Sequence, residues 1–93
     1  MVFLITYKIS SSERDYTPLY DKIKSLGTWF YYIDSFWLLQ PTSLESAREI
    51  YDQLIPYIYG GDYDYILVMR AIKSDYFGWL PNTAWEWISS RDF

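Results

Sequence analysis

The chain has 93 residues (11.2 kDa), with 8 Lys+Arg against 12 Asp+Glu for a net charge of −4, and is 51% hydrophobic and 23% aromatic. That many rings exclude intrinsic disorder, and the length accommodates one domain. Cysteine and histidine are both absent, which excludes disulfides, thiolate or imidazole metal ligands, and the Ser-His-Asp and Cys-His dyads.

In chain order, Val2-Phe3-Leu4-Ile5-Thr6-Tyr7-Lys8-Ile9 combines β-branched and aromatic residues with apolar side chains on both faces, predicting an interior strand. The polar run over 10–15 is a connector. Thr17-Pro18 reads as an N-cap followed by the first helical residue. Leu19, Tyr20, Ile23 and Leu26 then mark one helical face, and Gly27 is placed to close the helix in the left-handed conformation. Two aromatic strands, 29–33 and 36–39, flank a tight turn at Asp34-Ser35. Thr42-Ser43-Leu44-Glu45 matches a capping box, behind which Leu44, Ala47, Ile50, Tyr51 and Leu54 recur at helical spacing. Pro56 ends that helix near Ile55. Gly60-Gly61-Asp62 is a turn before a long strand over 63–73. An aromatic loop over 75–82 follows, and Thr83-Ala84-Trp85-Glu86 is a second capping box opening a short helix.

This order predicts an α+β fold, a ferredoxin-like βαββαβ sandwich with one antiparallel sheet, both main helices on one side, and a short C-terminal helix. A single domain over 1–93 is expected, with a core over 1–73 and an aromatic extension over 74–93. No apolar run approaches the roughly 20 residues of a membrane span, and the first residues lack the charged region and cleavage site of a signal peptide. A cytoplasmic setting is therefore expected.

Few residues offer chemistry. Gly60-Gly61-Asp62 has the letters of the nucleotide-cyclase and palm-polymerase motif, but that motif sits on the central hairpin, opposite a carboxylate ending the first strand. Here it precedes the last strand and faces Lys8, so the turn reading is preferred. Asp34, Asp62 and Asp64 are weak candidates to gather around a magnesium ion, since acidic residues at a strand start are more often solvated. Lys8 and Arg70 interrupt apolar strands and read as guards against edge aggregation, with capture of a phosphate as the alternative.

The rings carry more information. Most belong to the core, but two helices cover only one face of a sheet, which leaves a surplus. Tyr63, Tyr65, Tyr76, Phe77, Trp79, Trp85 and Trp87 crowd the last third of the chain. Trp and Tyr clusters with few charges mark desolvated protein interfaces. Stacking on nucleobases would call for a basic groove, which this acidic chain lacks. Homodimerisation through Tyr63, Tyr65, Trp79, Trp85 and Trp87 therefore ranks first, another protein partner second and nucleic acid third.

Taken in order and spacing, Ile5-Thr6-Tyr7-Lys8, Leu26-Gly27-Thr28-Trp29, Tyr32-Ile33-Asp34-Ser35-Phe36-Trp37 and Gly61-Asp62 make residues 1–71 resemble the CRISPR-associated Cas-two superfamily. The likeness is to its stand-alone Cas-two-like branch and, more distantly, to VapD-type toxin ribonucleases. The resemblance implies a homodimer joined through sheet edges in a defence- or mobile-element-related setting. It implies either a metal-dependent nuclease or a structural DNA-binding subunit. It also places a metal-binding carboxylate directly after the tyrosine that closes the first strand. Those positions are here Tyr7 and Lys8, and a lysine repels a divalent cation. The family's basic cluster is replaced by 10–15, with one arginine, and its hairpin serine corresponds to Ser35.

The expectation is a catalytically silent or feebly active homodimeric module without cofactor or metal. Its contact would be formed by the last strand and the aromatic tail, burying Trp79 and at least one of Trp85 and Trp87. Truncation after Lys73 would leave a monomer or an insoluble product. Two alternatives remain: a metal-dependent endonuclease or toxin ribonuclease using Asp34, Asp62 or Asp64 with magnesium, and an acidic inhibitor or adaptor for a basic partner.

Overall fold

The computed structural model describes residues 1–9, 15–58 and 64–93. Its elements are β1 (Val2–Lys8), α1 (Thr17–Ser25), β2 (Gly27–Ile33), β3 (Phe36–Pro41), α2 (Ala47–Leu54) with a 3-10 turn over Ile55–Tyr57, β4 (Tyr65–Ala71) and α3 (Asn82–Ser89). The strands form one sheet in the order β2-β3-β1-β4, and every neighbouring pair is antiparallel. This is the ferredoxin-like α+β arrangement. The segment containing α1 skips from β1 over β3 to β2, and that containing α2 skips from β3 over β1 to β4.

Alternation of side chains along each strand divides the sheet into two faces. Register puts Phe3, Ile5 and Tyr7 on the same face as Trp37 and Leu39 of β3 and Ile66 and Val68 of β4. Leu19 and Ile23 of α1 and Ile50 and Leu54 of α2 close over that face, and with Tyr16 and Ile58 they complete the main core. The opposite face carries Val2, Leu4, Leu38 and Phe30. There α3 packs Ala84 and Ile88 against Val2, Phe30 and Leu38 in a second, smaller core, with Trp85, Trp87 and Leu80 around it. The C-terminal helix thus covers part of the face that the sequence leaves bare.

Two cations hold α3 in place. Arg91 lays its guanidinium over the Trp87 ring, 4.0 Å from the centroid. Its Nε donates to Gln40 Oε1 at 2.9 Å and its Nη2 to Thr28 Oγ1 at 3.2 Å, tying the helix to β2 and β3. Lys73 donates through Nζ to the carbonyls of Ile88 (2.8 Å) and Arg91, supplying positive charge where helix carbonyls lack partners. Its own N–H donates to Phe93 O at 2.7 Å. Arg91→Ala is expected to cost about 1–2 kcal/mol, read as a lower urea midpoint and faster amide exchange in α3.

Local details depart from the sequence expectations for identifiable reasons. Gly27 does not close α1 in a left-handed conformation: Leu26 caps the helix in the right-handed region, and Gly27 is the first residue of β2. Glycine is required there because a Cβ would lie 2.0 Å from the Gln40 carbonyl oxygen across the ladder. Helix α1 begins at Thr17, with Tyr16 at the N-cap and Asp15 Oδ1 accepting from Thr17 N–H at 2.9 Å. The Thr17 hydroxyl, and then that N–H, hold the Asp15 carboxyl below its ordinary pKa. Helix α2 uses the next match to the capping pattern, Ser46 with Glu49, rather than Thr42 with Glu45. Ser46 Oγ accepts from Glu49 N–H at 3.1 Å, and Glu49 Oε2 accepts from Glu45 N–H at 3.2 Å. Helix α3 has Pro81 at its N-cap and no side-chain cap, while Thr83 Oγ1 accepts from Tyr32 Oη at 2.9 Å. Strand β4 stops at Ala71, short of 73, where Lys73 turns its N–H to Phe93.

Candidate functional site

The residues expected to carry chemistry are dispersed. Tyr7 is buried on the helix-covered face, and its Oη accepts from Trp37 Nε1 at 3.0 Å. Burial pushes its phenol pKa above the ordinary value. Lys8 is exposed and belongs to the opposite face. Arg70 lies opposite Phe3 whereas Lys8 lies opposite Tyr65, so these two cations occupy different ends of the ladder and different faces. They form no common anion site.

Asp34 is exposed in the hairpin turn, followed by Ser35 at φ 59°. The Ser35 carbonyl accepts from Thr6 Oγ1 at 2.7 Å, fastening the turn to β1. That contact accounts for Ser35 as part of the hairpin's attachment. Asp64 is buried just before β4 and accepts from Tyr16 Oη at 2.7 Å, linking the start of α1 to the last strand. Asp62, Tyr63 and the Gly60-Gly61 turn lie outside the described residues. Among the described residues, no three carboxylates come together as a metal-ligating group, and on α2 Arg48 pairs with Asp52 at 2.9 Å.

The unusual feature is an aromatic surface on and beyond β4. This strand is an edge of the sheet, and its outward residues Tyr65, Leu67 and Met69 share the face that carries α3. They are 60%, 49% and 52% exposed, and Ile72 follows at 71%. The connection from Ser74 to Pro81 then runs to the start of α3 and approaches it at three points. Tyr76 packs its ring 6.4 Å from that of Trp85, Gly78 passes so that a Cβ there would meet Trp85 at 3.8 Å, and Leu80 joins the smaller core. Between these anchors Phe77 and Trp79 are fully exposed. The arm is therefore held at alternate residues and presents two large rings outward.

The five expected interface residues separate accordingly. Tyr65 and Trp79 are on this surface. Trp85 and Trp87 are half-buried in the chain's own smaller core, and Trp87 meets Phe30 edge-on at 5.8 Å. Tyr63 lies outside the described residues. Leu67, Met69 and Phe77 complete the surface. Their signal was the alternation 65-67-69 on a strand at the sheet edge, legible once the strand order is known.

No family model matches the chain, and neither does any curated protein or solved structure. Among the described residues, no helix is long and apolar enough to cross a membrane.

Proposed function

We propose that the chain is a homodimeric interaction module, without catalysis of its own, that joins a second copy through the outward face of β4 and the Phe77–Trp79 arm. The observation that carries the reading is the full exposure of Phe77 and Trp79 on a backbone fixed by its own packing. Single exposed apolar residues are ordinary, but an apolar edge strand beside two solvated rings is a patch that soluble proteins keep covered. Trp is among the residues that most often dominate binding energy, and pinned backbones lose little entropy on association. A second copy is the economical cover, because a two-fold axis brings the same patch from each partner together.

The sequence resemblance alone supports a Cas-two-like relationship and a defence- or mobile-element-related role, and the β2-β3-β1-β4 order does not single them out. That order is common to folds of many activities, so the relationship enters as part of the proposal. Sedimentation equilibrium is the direct test. Twice the chain mass of 11.2 kDa is expected at micromolar concentration, and a monomer at 100-fold higher concentration would overturn the reading. Incubation with RNA and DNA in magnesium or manganese is expected to give no cleavage beyond that in chelator. Metal-dependent cleavage lost in Asp64→Asn would reinstate the nuclease alternative.

A further inference from the structure

A second aromatic feature lies on the other side of the molecule, at the β2 edge. Helices α1 and α2 cover the centre of their sheet face, but β2 extends beyond α1 as the outer strand. Between α1 and β2 opens a cleft of about 340 Å³ lined by Tyr20, Lys24, Trp29, Tyr31 and Trp37. That volume lies within the range of small-ligand sites.

The base of the cleft is rigid. Trp37 is buried, donates to Tyr7 Oη at 3.0 Å and stacks on Tyr31 with centroids 4.2 Å apart. Trp29 meets Trp37 edge-on at 5.6 Å, and Tyr20 lies nearly parallel to Trp37 at 6.4 Å. Trp29 and Tyr31 nonetheless keep 40% and 36% of their surface exposed. The arrangement is thus a preformed apolar slot with ring walls.

Among the described residues that line it, the single charge is positive. The Lys24 ammonium lies 5.0 Å from the Trp29 ring centroid, no carboxylate is among the described residues that line the cleft, Asp15 acts on it only through Tyr20 at the start of α1, and Lys24 forms no ion pair among the described residues. In a chain of net charge −4, a lysine without a carboxylate over an aromatic slot is a local reversal of sign. A cationic ligand would meet the ammonium already seated on Trp29. An anion would be attracted to it, and a flat ring would gain the walls.

We propose that the cleft between α1 and β2 binds a planar aromatic anion, its ring against Trp29 and Tyr31 and its carboxylate or phosphate on Lys24. The shared chemistry has two sources, a free nucleoside monophosphate and an aryl carboxylate. The site is separate from the β4 surface, so it does not depend on how the chain self-associates.

The test is titration of the full chain with AMP, UMP and indole-3-acetate, followed by tryptophan fluorescence (for the nucleotides) and by calorimetry (for all three). Binding of at least one probe is expected, with the nucleotide and carboxylate arms identifying the source. Trp29→Ala should weaken it by about tenfold or more, the scale of one lost stacking contact. Lys24→Gln should weaken it and flatten its salt dependence, while Lys24→Arg retains it. Circular dichroism of each variant separates lost binding from lost fold. Three results would overturn the proposal: no binding of any probe at millimolar concentration, equal binding of adenosine and indole, or binding seen solely in the Phe77→Ser/Trp79→Ser chain. The last would make the cleft a seat for the arm of a second copy.

Discussion

Replacing Phe77 and Trp79 together by serine is expected to convert the dimer to a monomer while leaving the fold intact. Both rings are fully exposed in the single chain, so their loss removes no contact within it, and its stability should stay within about 0.5 kcal/mol. In the assembly they are the residues with the greatest apolar area to bury. A central aromatic anchor is commonly worth about 2 kcal/mol or more, and two of them, allowing for non-additivity, correspond to at least about a hundredfold in Kd. Sedimentation velocity across a dilution series reads that shift directly. Trp87→Ala provides the contrast: its ring supports Phe30 and Arg91, so its loss should lower the unfolding midpoint. An unchanged mass distribution in the double variant would remove the arm from the contact.

The largest effect on stability is expected at Trp37. Its ring is buried among Tyr20, Trp29 and Tyr31, and its indole N–H is satisfied by the Tyr7 hydroxyl. Trp37→Ala should cost about 3–5 kcal/mol, a large fraction of the roughly 5–15 kcal/mol available to a domain. Tyr7→Phe leaves a buried indole donor without its acceptor and should cost about 1–3 kcal/mol. Adding Trp37→Phe removes that donor as well. The pair should therefore lose less than the sum of the single changes, a coupling that a double-mutant cycle in urea measures.

The same tyrosine gives a pH dependence. Burial raises the Tyr7 pKa in the folded chain above 10, and the unfolded phenol titrates near 10. Above that pH the unfolded chain releases a proton that the folded chain retains. Stability supplied by the neutral phenol is thus complete below pH 10 and declines as pH rises beyond it. Tyr7→Phe should unfold less steeply with alkali than the parent when both are monitored from pH 9 to 11.

The element order was legible because it rests on local signals that survive tertiary context. Asp34-Ser35 marked the hairpin, Pro18 the start of α1, and Ile50 and Leu54 the buried stripe of α2. Boundaries moved where two local signals competed, as with Ser46 displacing Thr42. They also moved where a distant group decided, as when the Gln40 carbonyl imposed glycine at 27. The role of α3 was hidden for a different reason. Ala84 and Ile88 are a narrow apolar stripe flanked by Trp85 and Trp87, and composition alone gives no sign of which rings turn inward.

The β4 surface was half legible. Its tyrosine and Trp79 announced themselves by type, whereas Leu67 and Met69 became informative once β4 was known to be an edge. The α1–β2 cleft was not legible, because Tyr20, Lys24, Trp29, Tyr31 and Trp37 come from three elements and read singly as core or solvated surface. Their meeting depends on β2 being the outermost strand, which follows from topology.

The smaller core also bears on synthesis. Val2, Phe30 and Leu38 are made long before Ala84 and Ile88, which cover them. A ribosome adding about 5–20 residues per second therefore leaves that sheet face bare for seconds while its lid is still being translated. Even a strand that has paired correctly stays adhesive during that interval. Contacts of such wide sequence separation carry a high loop-closure cost, so this core should close later in folding than the local β2–β3 hairpin.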